Sequence, residues 1–197
     1  MRERRDFIKK SLFGAAAAVL KDLPFSTPSY AAAAFEMKGA VAGKLNRLPG
    51  GLWSVMLTPF LDNKNIDTAG LNRLTEFYIQ SGATGLFANC ASSEMYSLTD
   101  AERLLMIQTT LRAAQGKVPV IASGTFNQSM DKCADFIQQV YDTGVAAVVL
   151  ITSQLAGKEE EDDTLKKRTE QLLKLTGNIP LGVYECPSPY KRLLSPE

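Results

Sequence analysis

Ala146-Ala147-Val148-Val149-Leu150-Ile151-Thr152 carries one polar side chain, and that one is β-branched. A strand with one face in water alternates apolar and polar residues. This run does not alternate, and it has the length of a strand rather than of a helix. An unbroken β-branched run of this kind suits a strand covered on both faces, as in a parallel sheet flanked by helices. Thr143-Gly144 stands just before it, and a charged segment with helical spacing, Glu159 to Leu175, follows it.

The same unit recurs on both sides. Gly51 to Leu57, Thr84 to Asn89, Val118 to Ser123 and Ile179 to Tyr184 read as strands. Asp67 to Gln80, Thr99 to Ala114 and Ser129 to Asp142 read as helices, the first with Leu71, Leu74 and Tyr78 on one face. Thr99 with Glu102 has the spacing of a capping box, and Ser129 is a candidate cap. Glu159 to Asp163 is an acidic run at the start of the last helix, where negative charge is favoured by the helix dipole. Ser81-Gly82, Gln115-Gly116, Thr143-Gly144 and Thr176-Gly177 supply the expected helix stops.

Strand and helix in strict alternation predict an α/β fold built on a parallel sheet. The period matches a (β/α)8 TIM barrel, truncated after about the fifth strand, since such a barrel typically takes about 250 residues. An open doubly wound sheet is the alternative. Its Gly-rich loop after the first strand is missing; Thr58-Pro59-Phe60 stands there.

The amino terminus has a different character. Arg4-Arg5 precede Phe7-Ile8, an apolar stretch from Ser11 to Leu20, and the small residues Ala31 to Ala34. Basic, then apolar, then small is the order of a signal peptide, and the arginine pair specifies the twin-arginine route. The apolar stretch is short of the ~20 residues that span a bilayer. The expected organisation is a signal peptide over 1–34, a lead-in over 35–50 and a partial barrel over 51–197. The expected location is the periplasm, with no membrane association after cleavage.

Composition removes several chemistries. The 197 residues include no histidine, which excludes Ser-His-Asp and Cys-His catalysis and the commonest zinc ligand. With 22 Lys+Arg against 21 Asp+Glu there is no basic excess for nucleic acid. Three cysteines, Cys90, Cys133 and Cys186, are too few for a disulfide framework. The acidic run lacks the alternation and glycine of a calcium loop. No metal or cofactor is expected.

In a barrel the chemistry lies at the carboxyl ends of the strands. Those positions hold Thr58-Pro59-Phe60, Cys90-Ala91-Ser92-Ser93-Glu94, Ser123-Gly124-Thr125, Thr152-Ser153-Gln154 and Tyr184-Glu185-Cys186-Pro187. With Asp62, Ile66, Asp67, Leu98-Thr99, Glu102-Arg103 and the Tyr184-x-x-Pro187 spacing, they resemble the dihydrodipicolinate synthase and N-acetylneuraminate lyase family of class I aldolases. Each motif alone is weak. Three in the right order, each at a strand end, are specific.

The resemblance implies a lyase that binds a 2-oxo acid of the pyruvate type, or a 2-oxo sugar acid, as a Schiff base on a sixth-strand lysine. It implies a homo-oligomer in the intact parent. Tyr184 matches the tyrosine that passes protons near the Schiff base. Cys90-Ala91-Ser92-Ser93-Glu94 matches a Gly-Thr-Thr-Gly-Glu loop that holds the carboxylate, which makes Ser92 and Ser93 substrate-binding candidates, with Thr58 beneath them. Several positions depart, and Ser93 replaces a glycine. Ala91 lacks the first hydroxyl. Leu155 stands where many members place a second tyrosine that reaches a neighbouring subunit. Pro189 stands where lysine-pathway members place an arginine. The five strand units end before a sixth, and Lys191 reads as a solvated lysine.

Each candidate also has a plain structural role open to it. Tyr184 can fill the barrel top, Ser92 and Ser93 can cap local backbone, and Cys90 and Cys186 can act as small buried hydrophobes. The alternatives to a lyase are an exported, non-catalytic 2-oxo-acid or sugar-acid binding protein, and an inactive fragment.

Overall fold

The computed structural model describes residues 47–126 and 129–194. The leader and most of the lead-in lie outside them. Five strands, β1 (Trp53–Val55), β2 (Gly85–Ala88), β3 (Val120–Ser123), β4 (Ala147–Ile151) and β5 (Leu181–Tyr184), form one sheet in the order β1-β2-β3-β4-β5. Every pairing is parallel: Trp53 opposite Gly85, Leu86 opposite Val120, Ile121 opposite Ala147 and Val148 opposite Leu181. The connecting helices are α1 (Thr68–Gln80), α2 (Asp100–Ala114), α3 (Met130–Asp142) and α5 (Asp162–Thr176). A single turn, α4 (Thr152–Leu155), follows β4 directly.

The register sorts side chains onto two faces. Leu86, Ala88, Val120, Ala122, Val148 and Leu150 belong to the main core with Leu71, Met106, Ile137 and Leu172 of the helices. The residues between them, Phe87, Ile121 and Val149, lie on the other face. All five residues of β4 are buried, as its sequence demands.

That second face is strongly concave. The rings of Phe87 on β2 and Tyr184 on β5 meet edge to face with centroids 5.5 Å apart. Two strands lie between them. Strands stand ~4.8 Å apart, so a flat sheet would separate β2 from β5 by about 14 Å. The sheet is therefore curled as a barrel wall is. Among the described residues β1 and β5 each pair on one side only, and Val55 and Val183 are 43% and 51% exposed there.

The expected stops and caps account for the helix ends. Gly82, Gly116, Gly144 and Gly177 all have positive φ, where a Cβ would be strained. Thr99 accepts the Glu102 amide while the Glu102 carboxylate accepts the Thr99 amide, closing the capping box. Ser129 sits at the N-cap of α3 but its side chain makes no cap bond.

Several boundaries differ from the sequence expectation: β3 and β5 each begin two residues later than expected, at Val120 and Leu181. β1 is ladder-paired only over Trp53–Val55, shorter than Gly51 to Leu57. The last helix begins at Asp162 rather than Glu159, because Glu160 is engaged elsewhere. Its carboxylate accepts the Gly157 amide at 2.6 Å and pairs with Arg168 at 2.7 Å. The Arg168 guanidinium first, and the Gly157 amide second, hold it below the ordinary carboxylate range.

Candidate functional site at the carboxyl ends of the strands

The loop after β2 leaves the sheet through two left-handed residues. Asn89 has φ 53°, the turn Ala91–Ser93 follows, and Glu94 has φ 55°. This geometry separates the two serines. Ser92 is exposed at the turn. Ser93 is fully buried; its hydroxyl donates to the Met56 carbonyl at 2.7 Å and accepts the Cys90 amide at 3.1 Å. Thr58 is buried too, and donates to the Ser93 carbonyl at 2.7 Å. Sequence reasoning offered Thr58, Ser92 and Ser93 to the substrate. The hydroxyls of Thr58 and Ser93 instead pin the loop after β2 to the chain after β1, and Ser92 holds the hydroxyl that faces outward.

The rest of this loop is equally fixed. Arg103 of α2 donates from Nε and Nη2 to the Met95 carbonyl, at 2.9 and 2.8 Å, and its guanidinium lies 4.0 Å over the Phe126 ring. The Tyr96 and Phe126 rings meet edge to face, with centroids 6.4 Å apart. At the ends of β2 and β3, Asn89 donates from its amide to the Ser123 carbonyl at 3.2 Å. Thr125 accepts the Ile151 amide at 2.8 Å, tying β3 to β4.

Tyr184 closes the mouth from the β5 side. It packs, with Ala91 and Phe126, against the buried trio Met95, Ile151 and Cys186. Tyr184, Ala91 and the Ser92 turn are thus brought together from sequence positions about ninety residues apart. Burial, then the Cys186 thiol, then the charge of Cys90 push the Tyr184 phenol from 10.0 up to about 12. A phenol so placed stays protonated and acts as a donor at neutral pH. Cys90 and Cys186 are both free thiols and both buried.

One residue of this site was missed. Tyr96 reaches across the mouth from the loop after β2 to the chain after β5. Its hydroxyl donates to the Ser188 carbonyl at 2.8 Å and lies 3.9 Å from Cys186 Sγ. Its pKa is also raised to about 12, by burial first and then by Cys186. The signal available in the sequence was only a tyrosine two residues beyond the Ser92-Ser93-Glu94 block.

The segment after β5 folds back over β4. The Tyr190 hydroxyl lies 2.8 Å from both the Ser153 and Ala156 carbonyls, and Thr152 donates to the Arg192 carbonyl at 2.7 Å. Arg192 pairs with Asp162 at 2.6 Å. Leu155, at the position of the second tyrosine, is 1% exposed and belongs to the core. Lys191 is exposed. Among the described residues no cluster of histidine, cysteine, aspartate or glutamate is arranged to hold a metal ion, and no helix is long and apolar enough to cross a membrane. A pocket of about 220 Å³ between α3 and α5, lined by Asp131, Asp135, Gln138 and Leu175, offers none of the mouth's phenols or hydroxyls.

The comparisons with known proteins agree with this geometry. A 4-hydroxy-tetrahydrodipicolinate synthase of Methanococcus maripaludis is 31% identical over 147 residues, 75% of this chain and 49% of the relative. The structure of a chloride-inhibited dihydrodipicolinate synthase from Acinetobacter baumannii, complexed with pyruvate, matches with a TM-score of 0.63 at 25% identity, over 70% of this chain and 46% of that one. A Clostridium difficile structure titled CdNal in complex with mannosamine shares the fold, with a TM-score of 0.64 at 17% identity over 74% and 49%. The chain spans about half the length of the curated relatives it matches. Its five parallel units match part of a TIM barrel. The model of the dihydrodipicolinate synthetase family covers residues 48–197, every strand and every mouth residue described above, and it is to this family of lyases that the chain belongs.

Proposed function

We propose that this half-barrel is the part of a 2-oxo-acid lyase that holds the substrate carboxylate and moves its protons. One observation carries the reading: Ala91, beside Ser92, and Tyr184 share a single cluster around Met95, Ile151 and Cys186 at the carboxyl ends of the strands. The Ser92 hydroxyl and the backbone N–H groups of its turn receive the carboxylate. Thr58 and Ser93 keep that turn in shape. Tyr184 donates to the oxo group and recovers its proton in the return step.

In the intact barrel a sixth-strand lysine forms the imine, and the iminium serves as electron sink for carbon–carbon cleavage, its reverse, or dehydration. The electrostatics of Tyr184 fit this division. Burial and two thiols raise its pKa; an adjacent iminium would lower it, so the phenol would give up its proton only when the imine is present. The substrate is a pyruvate-type 2-oxo acid or a 2-oxo sugar acid, and the intact parent is a homo-oligomer. Pro189 offers no charge to a second carboxylate, so the lysine-pathway reaction named for the curated relatives is not the one proposed. The leader adds export, folded, to the periplasm. A second reading, an exported binding protein without catalysis, is favoured by Ala91 and Leu155, which remove two hydroxyls from the family's site.

Borohydride reduction in the presence of pyruvate, followed by intact mass, tests the lyase reading. The 197-residue chain should give no adduct, and a chain extended through a sixth-strand lysine should give one. An adduct on Lys191 that disappears in Lys191→Ala overturns the division of labour. No adduct in the extended chain overturns the lyase.

A further inference from the structure

The mouth is closed as it stands. Met95, Ile151 and Cys186 are all 0% exposed, and Ala91 and Tyr184 both pack on them. A 2-oxo acid that touches both the Ser92 turn and Tyr184 needs that space, so one wall has to move. The loop after β2 is the fixed wall. Ser93 and Thr58 tie it inside the fold, and Arg103 holds the Met95 carbonyl through two bonds. The chain after β5 is the loose wall. Pro187, Ser188 and Pro189 are exposed, yet Cys186, at the root of the same segment, plugs the cluster.

We propose that residues 186–194 form a strap that opens and closes the mouth, hinged on the β4 side and clasped by the Tyr96 hydroxyl. The hinge is a set of bonds to one neighbourhood. Tyr190 reaches the Ser153 and Ala156 carbonyls at the α4 turn, Thr152 donates to the Arg192 carbonyl, and Arg192 pairs with Asp162. The clasp is one bond from the loop after β2, donated by Tyr96 to the Ser188 carbonyl at 2.8 Å. It joins the fixed wall to the strap across two intervening strands. Releasing it lifts Cys186 from Met95 and Ile151 and gives a 2-oxo acid its way to Tyr184. The proposal rests on the lyase reading for its ligand, and it makes Tyr96 a positioning residue that sets how often the site is open.

Three features favour a clasp over simple packing. Tyr96 is 40% exposed, so its bond to Ser188 can break with water taking over both partners, and no buried polar group is orphaned. Its ring is held independently of the strap, edge to face with a Phe126 ring that the Arg103 guanidinium covers. The hydroxyl therefore keeps its aim while the strap is away. The bonds of the fixed wall, by contrast, are buried, and breaking them carries the full desolvation penalty.

The test needs no substrate, so its failure is distinct from failure of the lyase reading. The full chain is alkylated with iodoacetamide, and the rate at each cysteine is followed by peptide mass spectrometry. Tyr96→Phe keeps the ring and removes the clasp. One such hydrogen bond shifts an opening equilibrium by about two- to tenfold, so Cys186 should react faster by that factor. Cys90, whose sulfur faces the Met56 carbonyl under the fixed wall, and Cys133 in the main core should both keep their rates. Amide hydrogen exchange should quicken over 186–194 and not over 91–97. An unchanged Cys186 rate in Tyr96→Phe overturns the proposal. So does equal acceleration at Cys90, because the loop after β2 would then be the part that moves. Equal acceleration at Cys133 overturns it too, since the whole fold would then have loosened.

Discussion

Replacing Ser93 with alanine removes two hydrogen bonds at once from the interior of the mouth. The hydroxyl bridges the Met56 carbonyl, at 2.7 Å, and the Cys90 amide, at 3.1 Å, and Ser93 is 0% exposed. Water cannot replace either bond without opening the loop. A buried polar group left without a partner costs about 1–3 kcal/mol, so the two together should cost about 2–6 kcal/mol. With a denaturant slope of about 2 kcal/mol/M for a domain of this size, the urea midpoint should fall by roughly 1–3 M. Trp53 is the sole tryptophan and lies on β1, beside the chain that Ser93 holds, so its fluorescence is a direct probe. The control is one residue away. Ser92 is exposed, and Ser92→Ala should stay within about 0.5 kcal/mol of the unaltered protein. Equal midpoints for Ser93→Ala and the unaltered chain, or an equal loss in Ser92→Ala, would refute the assignment of the two hydroxyls to opposite sides of the turn.

Three other outcomes follow from the described residues and the leader. Tyr184 and Tyr96 titrate near 12 in the fold against 10.0 in the unfolded chain, so the folded state holds more protons between those values; their stabilisation is complete below about pH 10 and is lost as pH rises toward about 12. Urea midpoints measured across that range should fall less steeply in Tyr184→Phe, and an identical slope would exclude the shift. Thr99→Ala opens the capping box of α2 and should cost about 1 kcal/mol in the same assay, with a loss under about 0.3 kcal/mol counting against the box. Changing Arg4 and Arg5 together to lysine should leave the protein in the cytoplasmic fraction, and periplasmic recovery at the original level would dismiss the twin-arginine reading.

The sheet was legible because its information is local and redundant. Each strand is a compact apolar run, and each of the four long helices is followed within two residues by a glycine of positive φ. Ala147–Ile151 could be placed from its own composition, and Thr99 with Glu102 from spacing alone. The single turn Thr152–Leu155 was hidden because four residues carry no helical period, and Thr152 extends the apolar run of β4 without a break. The site was legible only in part. That Tyr184 and the Ser92-Ser93 block lie at the same end of the sheet follows from its parallel strands and so was available, whereas their meeting across β3 and β4 depends on its curvature. Which serine faces inward depends on the left-handed φ of Asn89 and Glu94, which a non-glycine sequence does not announce. Tyr96 was invisible for another reason: its hydroxyl finds partners ninety and more residues away, across the curvature of the sheet, and no pattern in the chain records a curvature.

The strand order has a consequence for how the molecule comes into being. Every strand hydrogen-bonds to the one that precedes it in the chain, and each pairing joins residues about thirty positions apart. Among the described residues, nothing early in the sheet waits for something late. As the polypeptide leaves the ribosome, each finished strand–helix unit can dock on the wall already standing, at the small loop-closure cost of a short span. Assembly is then vectorial, and the growing edge is always the newest strand. The phenols are the exception. Tyr96 is synthesised early but acquires its partners at Cys186 and Ser188 only when β5 has been laid down, so the wall stands before the chemistry at its mouth is assembled.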